Sequence, residues 1–230
     1  MNIRANRRQL AGLLVVSSAL AWAVGCERGG PSSSEPDEKP SVEQAEKRAS
    51  DEERARSDQE EQGWRQLSEQ QLDEPARQKL KRARQAQKAL GSTLKEELVA
   101  AIGEEKPAGA VDFCHERAPE IAREVSETHD LKIGRTSHKL RNPDNAPPSW
   151  AEEAVDRKEA RTYVLEGPEE QLGYLAPIKV GGVCVNCHGK QDQLAPGVSE
   201  RLDKHYPKDQ ATGFEVGDLR GWFWVEVPAS

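Results

Sequence analysis

After an N-terminal region with one apolar run and no other periodic pattern, the chain settles into repeating hydrophobic spacings. Leu80, Ala83, Leu90, Leu94, Leu98 and Ile102 recur at helical intervals behind Asp73-Glu74-Pro75. An acidic start with proline in the first turn opens a helix, so this spacing predicts a long amphipathic helix ending near Gly103. A second helix is expected from about Pro107 to His129, with Val111, Cys114, Ala118, Ile121, Ala122 and Val125 on one face. Leu131–Leu140 reads as extended, and the Asn142–Pro148 stretch as a loop by its turn chemistry. Trp150–Arg161 fits a short helix, Arg161–Glu166 and Leu172–Val180 a strand pair joined across Gly167-Pro168, and Ser199–His205 another short helix. In a final strand, Gly221–Val227, alternation puts Trp222 and Trp224 on one side and Phe223, Val225 and Val227 on the other. Helices against one side of a small antiparallel sheet is the simplest packing for that order, an α+β fold.

The N-terminal run is an address. Three arginines precede the apolar stretch Leu10–Val24, which ends in Gly25-Cys26, the layout of an export signal. The stretch is too short to cross a bilayer comfortably as a helix. Ala23-Val24-Gly25-Cys26 resembles the bacterial lipobox, which makes Cys26 the expected site of lipidation, with Ala23 where leucine is usual. Lipid and acyl chains there would exceed the two signals that stable anchoring needs. Residues 1–25 are thus read as a lipoprotein signal peptide and the periplasmic face of a membrane as the location.

From Glu27 to about Gly63 roughly half the residues are charged and none is aromatic, a composition that buries too little apolar surface to fold alone. Residues 26–72 are read as a disordered tether and 73–230 as one folded domain. The whole chain carries a formal net charge of -7, the wrong sign for neutralising phosphates, so nucleic acid is not an expected partner.

Four cysteines carry the chemistry. Cys184-Val185-Asn186-Cys187-His188 is a Cys-x-x-Cys-His haem-attachment motif. Two thiols add across two haem vinyl groups, and a two-residue gap lets one tight turn present both sulfurs to one porphyrin edge. The next residue then lies under the ring, where His188 can bind iron. Gly181, Gly182 and Gly189 allow close backbone approach. A zinc site including Cys114 and a histidine, a thioredoxin-like redox pair and a plain disulfide are the competing readings. Export favours one covalent haem c over all three, because c-type maturation takes place outside the cytoplasm.

The second axial position is open on these grounds. Met1 is the only methionine, so the common histidine–methionine pairing is excluded. Cys114, His115, His129, His138 and His205 remain. Cys114 is the one cysteine without an assigned role, and a ferric iron would hold it as thiolate; the alternative is a buried small hydrophobe. His115 is its adjacent rival. Arg135, Arg141 and Arg220 are candidate partners for haem propionates through bidentate pairing.

Phe113-Cys114 with Ala118-Pro119-Glu120-Ile121-Ala122, Gly134-Arg135-Thr136-Ser137, Leu140-Arg141-Asn142-Pro143, Tyr206-Pro207, Asp209–Phe214 and Gly217–Gly221, together with the attachment motif, form one ordered set. In that set the chain resembles the single-haem, PAS-like domain family of cyanobacteria and proteobacteria. The resemblance runs from about Leu90 to Pro228 and implies a PAS-like fold and an unusual cysteine/histidine axial pair, which maps onto Cys114 and His188. His138 stands where that family more often has an apolar residue. The function expected is a redox or gas sensor, with a low-potential electron-transfer lipoprotein as the alternative and no enzymatic activity. The partner would be periplasmic, redox or signalling in kind.

Overall fold

The computed structural model describes residues 63–229. The expected signal peptide, Cys26 and the expected tether up to residue 62 lie outside the described residues. Among the described residues no helix is long and apolar enough to cross a membrane.

In chain order the elements are β1 (Arg65–Gln66), α1 (Glu74–His129), β2 (Lys132–Thr136), α2 (Glu152–Asp156), β3 (Tyr163–Glu166), β4 (Leu172–Lys179), α3 (Val185–His188), α4 (Val198–His205) and β5 (Leu219–Val227). Asp73 caps α1 by accepting from the Ala76 amide at 2.9 Å, the bond an N-terminal orphan donor requires. The element is two arms separated at Lys106, whose backbone turns to φ 64° and ψ 174°. The break falls at Lys106 and not at Gly103, because proline at 107 disfavours helical geometry in the residue before it. Arg82 donates to the carbonyls of His129 and Asp130, and Arg117 pairs with Glu97. The two arms therefore run back along each other.

Five strands form one antiparallel sheet in the order β1-β3-β4-β5-β2. Both arms of α1 cover one face, where Leu80, Leu90, Leu94, Ala118 and Ile121 pack on Ile133, Tyr174, Val225 and Val227. Trp64, Trp150, Tyr163, Leu165, Leu175 and Trp222 cover the other. The period-two reading of β5 holds: Val225 and Val227 face α1, Trp222 the opposite side. The α+β class is as expected.

Two boundaries differ. Order is already present at Trp64, nine residues before the expected start. Trp64, Leu67 and Leu72 are buried, β1 pairs with β3, and the Trp64 ring stacks on Trp150 at 5.2 Å. Three isolated apolar residues and a two-residue strand carry no periodicity, so residues 64–72 passed for tether. The helix expected over Trp150–Arg161 is shorter, ending at Asp156, and Lys158 takes a left-handed φ of 55° just beyond it.

Candidate functional site

The Cys-x-x-Cys-His motif folds as one tight winding: a 3-10 turn, Gly182–Cys184, runs directly into α3. The Cys184 amide donates to the Gly181 carbonyl at 3.0 Å and the Gly189 amide to Val185 at 2.9 Å. Residues three apart on a helical turn share a side, so Cys184 and Cys187 are presented together. Cys184 packs on Val180, Ala211 and Phe214, and Cys187 on Val111, Val198, Leu202 and Tyr206. Gly189 serves the turn itself, since a β-carbon there would stand 2.6 Å from the Val185 carbonyl.

A strap, residues 209–214, crosses this winding. The Phe214 amide donates to the His188 carbonyl at 2.9 Å and Gly213 to Gly189 at 2.8 Å. His188 Nδ1 lies 2.7 Å from the Ala211 carbonyl. A carbonyl only accepts, so Nδ1 carries the proton and Nε2 keeps its lone pair. Burial, with Arg141 and Arg220 nearby, holds the imidazole well below the usual histidine range. That direction favours the neutral imidazole, the form a metal ligand must take.

Cys114 comes from the second arm of α1. It is half-buried, and all three described cysteines are free thiols. Burial pushes the Cys114 thiol up, against the pull of Arg135, Arg141 and Arg220, and Cys184 is close enough to add to the rise. Burial raises Cys187 to about 11. Cys114, Cys184 and the three arginines thus border one recess. Among the described residues no three histidine, cysteine, aspartate or glutamate side chains converge closely enough to hold a metal ion.

The rival histidines divide, with His138 alone sharing the Phe214 ring with His188. His115 is exposed, its ring 4.6 Å from His205 and 5.4 Å from Tyr206. His205 Nε2 stands 2.7 Å from Asp112. His129 ends α1, far along the arm from Cys114. His138 lies between Phe214 and Trp222, 6.0 and 6.1 Å away, with its buried Nδ1 lacking a partner.

The arginines divide into two roles. Arg141, one of the expected propionate partners, is already engaged within the fold. It is buried, its Nε donates to Asp209 at 3.2 Å, and its Nη2 donates to the Cys187 and Ala211 carbonyls at 2.5 and 3.3 Å. Arg135 and Arg220 have no carboxylate partner among the described residues. Arg220 reaches only the Lys139 carbonyl, at 3.3 Å, and lies 5.5 Å from the Phe214 ring centre. Burial and the like charges of Arg141 and Arg135 lower it to about 10. Buried charge without a counterion is costly, and this edge of the recess is chemically complementary to carboxylates.

Residue-by-residue reading of the sequence assigned no roles to Asp209, Ala211 and Phe214. They stood in plain sight as a run that recurs in the family pattern, but a backbone carbonyl as partner leaves no side-chain signature.

No curated protein matches the chain. Among solved structures, the crystal structure of the cyanobacterial heme-protein Tll0287 is similar at 23% identity with a TM-score of 0.48, the match covering 69% of this chain and 98% of that one. The sequence model of the Tll0287-like family matches residues 42–228, a span that takes in the attachment turn, the strap, the arginines and Cys114. The chain belongs to the Tll0287-like family.

Proposed function

We propose that this is an exported, lipid-anchored protein carrying one covalent c-type haem, and that it works as a redox or gas sensor with Cys114 and His188 as its axial pair. The observation that carries the reading is the His188 ring tied through Nδ1 to the Ala211 carbonyl with Nε2 left for a metal, directly after two cysteines on one turn. The residues fit the group. Cys184 and Cys187 would each add sulfur to one vinyl carbon and hydrogen to the other, forming thioethers without any oxidant. Arg135 and Arg220 supply charge that lacks an acid partner, as two propionates require. Cys114 borders the same recess from a different element. When bound, the haem would supply an iron that changes oxidation state and binds small ligands.

The unpaired charge makes a prediction. Arg220 has its pKa lowered in the fold, so at every pH below about 10 its charge opposes folding unless an anion lies beside it. Arg220→Met is expected to stabilise the haem-free chain by about 1–2 kcal/mol and the haem-loaded chain by less. Thermal melts of the two forms check this; equal gains would argue against propionates at that edge.

Sensing would follow from ligand exchange. Cys114 lies seven residues beyond Pro107, on an arm whose start is a break in the helix. Losing the sulfur–iron bond on reduction would free that arm to shift, a local change coupled to a movable element. The test is a reductive titration followed optically and by magnetic circular dichroism. The sensor reading expects the ferrous spectrum to have lost thiolate ligation and to bind carbon monoxide. A ferrous form that stays six-coordinate with unaltered ligands would overturn it.

Exposed Val183 and Val216, at 37% and 64%, flank the attachment turn and favour a second reading, low-potential electron transfer through a docked periplasmic partner. Rapid electron exchange without ligand change would select it. Lipidation at Cys26 is tested by the mass of the N-terminal peptide from membrane-extracted protein.

A further inference from the structure

We infer that Arg141 and Asp209 form a positioning pair for the proximal ligand, which fixes the His188 ring and tunes how strongly its Nδ1–H is held; this rests on the haem reading above. Three separate stretches of chain meet here. His188 belongs to the attachment turn, Ala211 and Asp209 to the strap, and Arg141 to the segment after β2. The Ala211 carbonyl accepts from two donors, His188 Nδ1 at 2.7 Å and Arg141 Nη2 at 3.3 Å. The same guanidinium donates to the Cys187 carbonyl, immediately before the histidine, at 2.5 Å. Asp209 accepts from Arg141 Nε at 3.2 Å and from the Ala211 amide at 2.8 Å, so one carboxylate holds both the cation and the peptide whose carbonyl takes the imidazole proton. Arg141 and Asp209 side chains are 9% and 10% exposed.

The geometry has an electronic consequence. A carbonyl shared with a guanidinium is a weaker acceptor for the second donor, so His188 carries less imidazolate character than it would with Ala211 to itself. Outer partners of a ligating histidine set its orientation and basicity in this way. A less basic imidazole stabilises ferric iron less and raises the reduction potential. Asp209 opposes the effect by drawing the guanidinium toward itself.

Two variants of the full-length haem-loaded protein test it, because their shifts have opposite signs. Arg141→Lys keeps the charge but cannot span Asp209 and two carbonyls; the midpoint potential is expected to fall and the iron–imidazole stretching frequency to rise. Asp209→Asn keeps the shape and releases the guanidinium onto the carbonyls; the potential is expected to rise and the stretch to fall. Circular dichroism establishes that each variant is folded. Shifts of the same sign in both variants, or folded variants with wild-type potential and stretch, would overturn the pair's tuning role. A variant that fails to fold leaves the other's sign to decide. Wild-type protein without covalent haem would instead defeat the reading beneath it.

Discussion

Gly221→Ala is expected to destabilise the fold by about 3 kcal/mol or more and to empty the recess of ordered arginines. A β-carbon at this position would stand 2.1 Å from the Thr136 carbonyl oxygen, on a backbone with φ 158°. That oxygen is backbone, not the flexible end of a side chain. Gly221 lies in β5 opposite Ile178 of β4, next to the irregularity between Ile178 and Lys179, and Thr136 closes β2 on the other side. Relief would require β2 and β5 to separate. Arg135 and Arg220, and Ser137, whose hydroxyl donates to the Arg220 carbonyl at 2.6 Å, would move with them. Denaturant unfolding measures the effect. A midpoint equivalent to a loss under about 0.5 kcal/mol would mean that the strand pairing at this corner is not what sets the recess.

The second large effect follows from the proposed haem site. If Cys184 and Cys187 hold a haem covalently and Cys114 is its second axial ligand, Cys114→Ala is expected to retain the haem while losing that ligand. The ferric protein should change from a low-spin thiolate spectrum to one with water or no ligand opposite His188, and its potential should rise markedly, since thiolate stabilises the ferric state. Stability should change little, because the side chain is small and only half-buried. Paired optical and EPR spectra of wild type and variant decide this. Identical spectra would assign the position to another group; His138, with its orphaned Nδ1 next to Phe214, would then be the residue to substitute next.

What the sequence disclosed, and what it withheld, follows from the range of each signal. The break in α1 was legible within three residues because proline acts on its immediate neighbour, and the alternation in β5 because period-two burial is local. The tight turn over Cys184–His188 was legible for the same reason, its residues being consecutive. Trp64 was not, because its burial depends on Trp150, eighty-six positions away. Arg141 was assigned to the right region, but its partners within the fold were not legible. Its charge is visible in the sequence, but the carbonyls of Cys187 and Ala211 that occupy it come from segments brought together only by folding. The division of the three arginines into one that is neutralised and two that are not is a property of the assembled recess.

The most direct measurement is made on wild-type protein produced in a host with c-type haem maturation, denatured and washed with acidified acetone. The account predicts that colour stays with the chain, and that the peptide containing Cys184, Cys187 and His188 carries the added mass of one haem with neither cysteine open to alkylation. A colourless chain whose two cysteines both alkylate would contradict it.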